Sequence, residues 1–294
     1  MEEMSRLEDN IRLAEAGTKG ASVSQEWKGN IIICPGGGYQ WHSPREAGPV
    51  AEAFAGAGWK PWILYYPVLD KEETGGEAPE RAAEARAVQQ KAGRIEAGGG
   101  GECLGIAPLL HAASAVKRVR EDWPHKPVIL CGFSAGGHVA ASLGVHWNDS
   151  SLFSEEEQRC IRPDGLVLCY PVITSGLYAH QGSMKMLAGE EDSRRDYFSL
   201  ERYVSSQTPP AFIWHTAADR DVPVQNTLLF AEGLAREGVP FELHIYPEGE
   251  HGLSLATKEV EEPAKGRFAD VHVAGWFGQC AEWLDRQRKK EQGS

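Results

Sequence analysis

The sequence predicts one three-layer α/β domain, with a mostly parallel central sheet and helices on both of its faces. Two observations predict this class. Short apolar, β-branched runs recur along the chain with helical patterns between them, and most of these runs are apolar almost throughout. Parallel strands are covered on both faces and therefore show continuous apolar runs. An alternation of such strands with helices is typical of three-layer α/β domains.

Six apolar runs are predicted to form the strands of this sheet. In chain order they are NIIIC at 30–34, WKPWILYY at 59–66, PVILC at 127–131, GLVLC at 165–169, AFIWHT at 211–216 and FELHIY at 241–246. Because they are apolar on both faces, we expect the sheet to be buried on both sides.

Helices are predicted between the strands. Ser43-Pro44-Arg45-Glu46 is typical of a capping box with proline at the first helical position, and it predicts a helix that ends near Gly56 or Gly58. Two further helices show one apolar face at helical spacing. The first has Ile106, Leu109, Leu110, Ala113 and Val116, and the second has Val273, Trp276, Phe277, Cys280 and Leu284.

The domain organisation is predicted to be a single domain over residues 1–294, a length that can bury a large core. Residues 1–27 form an N-terminal extension. Residues 70–104, rich in Gly, Ala and Glu, and the polar residues 171–208 interrupt the alternation. Excursions of that length are usually lids or loops in compact domains.

Composition excludes several classes of partner. The formal net charge is −12 without a sustained basic stripe, so we expect no nucleic acid as partner. No apolar run approaches about 18 residues, so we expect no membrane span. The acidic start lacks an apolar signal region, and the six cysteines are scattered without a C-x-x-C pair, which favours reduced thiols. These features predict a cytoplasmic protein. A signal peptide removed earlier and a homo-oligomer are both left open.

The segment VILCGFSAGGHVAASLG, residues 128–144, contains a candidate nucleophile. Gly132-Phe133-Ser134-Ala135-Gly136 matches G-x-S-x-G between a predicted strand and a helical pattern. That context is the one a nucleophile elbow requires, since a sharp turn exposes the serine oxygen above the sheet edge. The alternative is a glycine-rich turn with an incidental serine.

A serine hydroxyl needs a base, and the base needs an orienting acid. In nucleophile-elbow folds the acid and then the histidine follow the serine on loops after later strands. Asp219 comes soon after the strand 211–216, and His251 follows the strand 241–246 in a glycine-flanked loop. We therefore predict Ser134, Asp219 and His251 as a catalytic triad. Asp221 is interpreted as a loop carboxylate, and His215 and His244 as structural histidines.

The glycine-rich stretch CPGGGY, residues 34–39, follows the first predicted strand. Glycines there allow two backbone N–H groups to converge, and with the amide of Ala135 they would form an oxyanion hole. The alternative is a dinucleotide phosphate loop. The G-x-G-x-x-G spacing of such loops is missing, and no acidic ribose partner stands out after the next strand. Tyr39, Trp41 and His42 follow this loop and are candidate substrate-binding residues, although Trp41 equally suits a packing role.

These residues resemble the α/β-hydrolase acetyl esterases of the acetyl-xylan-esterase-like group, also called BD-FAE. The likeness spans roughly residues 28–286, and its matching segments include CPGGGYQWHSPREAGPVAEAFAGAGW, CGFSAGGHVAASLGVHW, YPVITSG, AHQGSMKMLAGE and TPPAFIWHTAADRDVPVQ. The resemblance implies the α/β-hydrolase fold, the same triad, and Gly37 and Gly38 as oxyanion donors beside Ala135. Many relatives have histidine where this chain has Pro35, and segment 70–104 is longer than we expect for the group.

The resemblance implies a serine esterase that removes acetyl groups from acetylated xylo-oligosaccharides or similar sugars. The mechanism requires no organic cofactor and no metal. A peptidase or an aryl formamidase with the same triad is the alternative, because PAFIWHTAADRDVPV also resembles prolyl-oligopeptidase-type enzymes, although no propeller domain precedes it in this sequence. A non-catalytic ligand-binding protein of the same fold is less favoured, because all three triad residues are present.

Overall fold

The computed structural model describes residues 12–15, 26–69, 103–189 and 192–292. Within these ranges seven strands form one sheet, in the order β1-β3-β2-β4-β5-β6-β7. Strands β2 to β7 pair in parallel, and β1 pairs antiparallel with β3 at one edge. The strands are β1 (Arg12–Glu15), β2 (Asn30–Cys34), β3 (Lys60–Tyr65), β4 (Val128–Phe133), β5 (Gly165–Cys169), β6 (Ala211–Thr216) and β7 (Phe241–Tyr246). The predicted mostly parallel sheet is confirmed.

The apolar runs located the parallel strands closely. Strands β2, β5, β6 and β7 have the predicted bounds, and β3 and β4 are displaced by one or two residues. Strand β1 was not predicted and lies within the expected N-terminal extension. Its sequence RLAE carries no continuous apolar run. A search for apolar runs therefore could not find this strand.

Helices cover both faces of the sheet, as predicted. Helices α2 (Ala107–Asp122), α3 (Ala135–His146) and α7 (Gln225–Arg236) pack on one face, and α1 (Gly48–Gly56) and α8 (Val271–Gln292) pack on the other. The short helices α4 (Glu155–Ile161), α5 (Gln181–Ala188) and α6 (Asp192–Arg195) lie between strands β4 and β6 in the chain. The apolar faces predicted for α2 and α8 are buried in these two layers, except that Phe277 of α8 is only partly buried.

The two faces of each central strand pack into separate hydrophobic cores. Alternate residues point to opposite faces of a strand, so Ile32 joins the core under α2 and α3 whereas Ile31 and Ile33 join the core under α1 and α8. The second core contains the stacked indoles of Trp214 and Trp276, whose ring centroids are 5.3 Å apart. Both strand faces are therefore buried, as the continuous apolar runs predict.

The predicted capping box at Ser43–Glu46 is wrong. Pro44–Glu46 forms a short 3₁₀ turn, the Ser43 side chain makes no cap hydrogen bond, and α1 begins only at Gly48. The carboxylate of Glu46 is buried and accepts hydrogen bonds from the N–H of Gly36 and the hydroxyl of Tyr170 instead. The side chain of Glu46, which a capping box would use, is bound by these tertiary contacts instead.

The excursion over residues 171–208 contains α5, α6 and 3₁₀ turns at Asp196–Phe198 and Leu200–Arg202. Its buried apolar residues belong to the core under α2 and α3, namely Val172, Ile173, Met184, Leu187, Ala188, Phe198, Leu200 and Val204. The backbone N–H of Leu104 donates to Met186, which ties residues 103–105 to α5. The other excursion, 70–104, lies outside the described residues except for its last two. A lid role for either excursion stays a prediction.

Within the described ranges, no helix is long and apolar enough to cross a membrane. All six cysteines are free thiols, and Cys34, Cys131 and Cys169 are buried at or near the ends of β2, β4 and β5.

Candidate active site

The candidate site lies at the carboxyl ends of the parallel strands, where ligands bind in open α/β sheets. Loops after β2, β4, β6 and β7 meet there. They carry Gly36–Gly38, Ser134, Asp219 and His251, respectively. Each candidate residue follows the end of a strand within five positions, so the sheet brings all of them to one edge.

Ser134 occupies a strained turn between β4 and α3. Its backbone has φ 53° and ψ −118°, a region that residues with a β-carbon rarely adopt. The N–H of Ser134 donates to the carbonyl of Cys169, and its own carbonyl accepts from Val172, so the neighbouring strand end holds the turn on both sides. A strained backbone persists only where the surroundings over-determine it. The serine turn therefore has the geometry of a nucleophile elbow.

Close backbone packing around this turn requires glycine at two positions. A β-carbon on Gly136 would fall on the carbonyl oxygens of Cys34 and Pro35, and one on Gly132 would fall on the carbonyl of Gly136. Helix α3 consequently approaches the strand ends more closely than any side chain would permit. The glycines of the G-x-S-x-G pattern thus have a steric reason that the sequence pattern anticipated.

Three predicted residues form one continuous hydrogen-bonded chain. The Oγ of Ser134 is 2.8 Å from Nε2 of His251, and Nδ1 of His251 is 2.6 Å from Oδ2 of Asp219. A carboxylate only accepts, so Nδ1 carries the proton and Nε2 is left as the acceptor for the serine hydroxyl. The arrangement can remove a proton from Ser134 and hold the resulting imidazolium against a carboxylate.

The carboxylate of Asp219 is buried but well supplied with donors. Its Oδ1 accepts from the backbone N–H groups of Asp221 and Val222, at 3.0 and 2.9 Å. Burial by itself would raise the pKa of this carboxyl, but hydrogen bonds from His215 and His251 outweigh burial and hold the pKa well below its ordinary value. Asp219 is therefore ionised at neutral pH. The side chain of Asp221 is exposed.

His215 contributes to this carboxylate in a way that sequence reasoning missed. Its Nε2 lies 3.2 Å from Oδ2 of Asp219 and 3.0 Å from the carbonyl of Val222, both of which are acceptors. Nε2 therefore carries the proton, and Nδ1 accepts from the hydroxyl of Thr227 at 2.8 Å. His215 is buried and structural, as expected. Its position four residues before Asp219 is the feature of the sequence from which the contact could have been predicted.

The glycine loop after β2 lies directly against the serine. A β-carbon on Gly36 would be 3.0 Å from the β-carbon of Ser134. The N–H of Gly36 is taken by Glu46 at 2.8 Å. Among the described residues, no acceptor takes the backbone N–H of Gly37, Gly38 or Ala135. These three amides are the oxyanion donors that the resemblance to the acetyl esterases implies.

Glu46 and Tyr170 join the glycine loop to the histidine loop, and neither was predicted to have a role at the site. The Tyr170 hydroxyl donates to Glu46 at 2.7 Å and accepts from the backbone N–H of Ser254 at 2.9 Å. The Tyr170 ring also meets the imidazole of His251 edge-on, with centroids 5.1 Å apart. One buried carboxylate thus sets the spacing between the two sides of the site.

The three candidate substrate-binding side chains separate in the structure. Tyr39 is fully buried and bonds Nδ1 of His138 through its hydroxyl at 2.8 Å, which contradicts the expectation that it borders the substrate. His42 is half-buried and packs edge-on against Tyr66, with centroids 4.7 Å apart. Trp41 is 43% exposed, next to the glycine loop, with the Lys265 ammonium 5.5 Å from its ring centroid. Trp41 stays a candidate.

No cluster of three or more His, Cys, Asp or Glu side chains suited to a metal ion occurs in the described part of the chain. The site residues form an acid–base chain and a set of backbone donors, an arrangement that suits acyl transfer.

This fold and site define the chain as an α/β hydrolase. Residues 165–280 match the prolyl oligopeptidase family. The chain is 39% identical over 181 residues to endo-1,4-beta-xylanase B of Butyrivibrio fibrisolvens, covering 55% of this chain and 28% of that protein. It is 33% identical over 135 residues to an acetylxylan esterase of Xylanibacter ruminicola, covering 44% and 26%. The chain thus spans about a quarter of the length of these curated relatives.

A solved structure shares the whole fold. The acetyl ester-xyloside bifunctional hydrolase of Caldicellulosiruptor lactoaceticus is 32% identical, with a TM-score of 0.69, over 94% of this chain and 88% of that one. The chain belongs to the α/β-hydrolase family of acetyl esterases. The predicted fold class and the resemblance to the acetyl-esterase group are confirmed.

Proposed function

We propose that this protein is a serine carboxylic-ester hydrolase, a short-chain acetyl esterase that removes acetyl groups from acetylated xylo-oligosaccharides or similar sugars. The observation that carries the proposal is the hydrogen-bonded chain from Ser134 through His251 to the buried carboxylate of Asp219. The site needs no metal and no organic cofactor for this chemistry.

The first half of the reaction transfers the acetyl group to the enzyme. His251 Nε2 takes the hydroxyl proton of Ser134 while Oγ forms a bond to the ester carbonyl carbon. The carbonyl electron pair moves to oxygen, where the amides of Gly37, Gly38 and Ala135 stabilise the negative charge. When the tetrahedral intermediate collapses, the bond to the sugar oxygen breaks, and that oxygen leaves with the proton from His251.

The second half releases acetate. Water enters, gives a proton to His251 Nε2, and attacks the carbonyl carbon of the acetyl-serine. The bond to Oγ then breaks, and His251 returns the proton to Ser134. Throughout, Asp219 holds the imidazole in the tautomer that keeps Nε2 free as an acceptor.

The substrate class rests on two supports. The curated relatives include a xylanase and an acetylxylan esterase, and the solved relative is an acetyl ester-xyloside hydrolase. The exposed indole of Trp41 next to the glycine loop is a surface on which a sugar ring could stack. We propose the cytoplasm as the compartment, because the six cysteines are free thiols. Cell fractionation with an antibody tests the compartment, and recovery outside the cytoplasm would contradict it.

The decisive experiment follows released acetate from acetylated xylo-oligosaccharides and turnover of p-nitrophenyl acetate. Substituting Ser134→Ala should lower kcat on both substrates by on the order of 10⁴–10⁶-fold, with the thermal unfolding midpoint unchanged. Ser150→Ala, at an exposed serine in the loop after α3, is the matched control and should keep full activity. An active Ser134→Ala variant would remove the serine from the mechanism. A preference for octanoate over acetate esters would overturn the short-chain assignment.

A peptidase or aryl formamidase is the second candidate, favoured by the match of residues 165–280 to the prolyl oligopeptidase family. The same triad attacks amides and esters alike. Turnover of a dipeptide amide or an aryl formamide without turnover of acetyl esters would select that alternative. A serine inert to a fluorophosphonate probe would favour a non-catalytic binding role instead.

A further inference from the structure

The segment AHQGSMKMLAGE, singled out in the sequence, places a histidine beside the glycine loop. His180 stands at the N-terminus of α5. A β-carbon built on Gly38 would lie 3.9 Å from Cε1 of its ring, so the imidazole lies close to one of the assigned oxyanion donors. The side chain is partly exposed. A ring in that position can meet a ligand at the site.

Hydrogen bonds determine which nitrogen of His180 carries the proton. Nδ1 lies 3.2 Å from the backbone N–H of Ser183 and 2.8 Å from its hydroxyl. A backbone N–H can only donate, so Nδ1 accepts and the neutral ring carries its proton on Nε2. No described side chain or carbonyl bonds Nε2. Nε2–H is therefore a donor available to a bound molecule.

The ring of His180 is neutral under ordinary conditions. Its burial, and then the nearby imidazole of His251, lower its pKa, and the carboxylates of Asp221 and Asp219 oppose this effect only partly. A neutral ring does not repel the imidazolium that forms on His251 during turnover.

One buried amide holds the backbone that leads to His180. Asn226 is fully buried, and its Oδ1 accepts from the N–H groups of Ile173 and Thr174 at 2.9 and 3.0 Å. Its Nδ2 donates to the carbonyls of Tyr178 and Pro223 at 2.9 and 3.0 Å. The approach to His180 and the loop after Asp219 are thus tied to the same side chain. The donor is preorganised.

Given the proposed esterase reaction, the chemistry of the substrate limits what His180 can bind. An acetyl group has one strong acceptor, its carbonyl oxygen, and three backbone amides are already assigned to that oxygen. The bridging ester oxygen receives its proton from His251. We propose that Nε2–H of His180 donates a hydrogen bond to a hydroxyl or ring oxygen of the alcohol portion, which makes His180 a specificity residue for polyhydroxylated, sugar-like esters.

The test compares two substrates that share the acetyl group. Acetylated xylo-oligosaccharides carry free hydroxyls near the ester, and the leaving group of p-nitrophenyl acetate carries none. His180→Ser is the informative variant, because serine is also a good N-cap for α5 but cannot reach the substrate. We expect the ratio of kcat/KM for the sugar acetate to that for p-nitrophenyl acetate to fall about fivefold to tenfold, as expected for one lost hydrogen bond. His125→Ser, at an exposed histidine in the loop after α2, should leave the ratio unchanged.

The outcomes separate the role of His180 from the esterase proposal. An unchanged ratio in His180→Ser, with both substrates turned over by the wild type, overturns the role of His180 and leaves the esterase proposal standing. A wild type that hydrolyses p-nitrophenyl acetate but no acetylated sugar overturns the sugar substrate and the His180 contact together. Should His180→Ser unfold, His180→Asn, which also caps helices, replaces it in the same ratio.

Discussion

The serine turn and the histidine loop carry the serine and the histidine of the candidate site, yet they are held in place differently. The serine turn, Gly132–Gly137, is fixed by close backbone packing, both within the turn and against the ends of strands β2 and β5. Strand β4 enters it, α3 leaves it, and backbone carbonyls fill the space where β-carbons at Gly132 and Gly136 would stand. Its positive φ at Ser134 is the result. Any sequence without those glycines would clash there.

The histidine loop, residues 247–255, is fixed from outside. The guanidinium of Arg267 donates to the carbonyl of His251 at 2.6 Å, and that of Arg45 donates to the carbonyl of Gly252 at 2.8 Å. Thr216 donates to Gly249, and Tyr170 accepts from Ser254. These partners come from four distant parts of the chain.

The difference teaches which part of a catalytic site a sequence motif can specify. Close backbone packing requires glycine, so the serine turn leaves a pattern of five consecutive residues, whereas a loop that is held by distant side chains leaves no local pattern. We therefore expect substitutions in the two regions to have different effects. Changes at the glycines of the turn should affect folding, and changes around the histidine loop should affect turnover first.

The largest effect is expected where the histidine loop meets its acid. Asp219→Asn should lower kcat on p-nitrophenyl acetate by about 10⁴-fold, because an amide favours the tautomer that places a proton on Nε2 of His251. Asp221→Asn changes an exposed carboxylate two residues away and should retain activity. Steady-state kinetics of the two variants decide between Asp219 and Asp221, and the reverse pattern would assign the acid to Asp221.

The next effect concerns the serine turn. Gly136→Ala should lower the free energy of unfolding by at least about 3 kcal/mol, because the added methyl group meets fixed backbone carbonyls rather than a flexible side chain. Gly278→Ala, on α8, meets no atom within 4 Å and should stabilise the protein slightly, since alanine favours helix more than glycine does. Urea denaturation followed by circular dichroism measures both. A Gly136→Ala variant of wild-type stability would show that the turn adapts.

The smallest effect is expected at Arg267, which holds the histidine loop from outside. Arg267→Ala should lower kcat about tenfold, because the carbonyl of His251 loses a charged donor from a side chain that is only 15% exposed. Arg236→Ala removes an exposed pair with Glu237 and should change kcat little. Kinetics and thermal melts together separate the two roles. If Arg267→Ala melts early but turns over normally, the guanidinium stabilises the fold and does not position the base.

Local patterns predicted most of the fold and the three residues of the hydrogen-bonded chain, but they did not predict several contacts around them. Ser134, Asp219 and His251 each follow a predicted strand, and their chain order predicted that they meet. The sequence wrongly predicted Glu46 as part of a capping box. It also placed Tyr39 at the substrate, because a tyrosine directly after the glycine loop suits both a surface and a buried position. His215 was recognised as structural without its bond to Asp219.

The sequence by itself determined the order of strands and helices, the turn that strains Ser134, and the residue types of the candidate site. Each of these depends on periodicity, glycine sterics or residue type within a few positions. Only the tertiary structure decided that Glu46 and Tyr170 span the site, that Asn226 holds the approach to His180, and which nitrogen of each histidine carries a proton. Those features depend on hydrogen-bond partners that lie far away along the chain and become neighbours only when the sheet assembles.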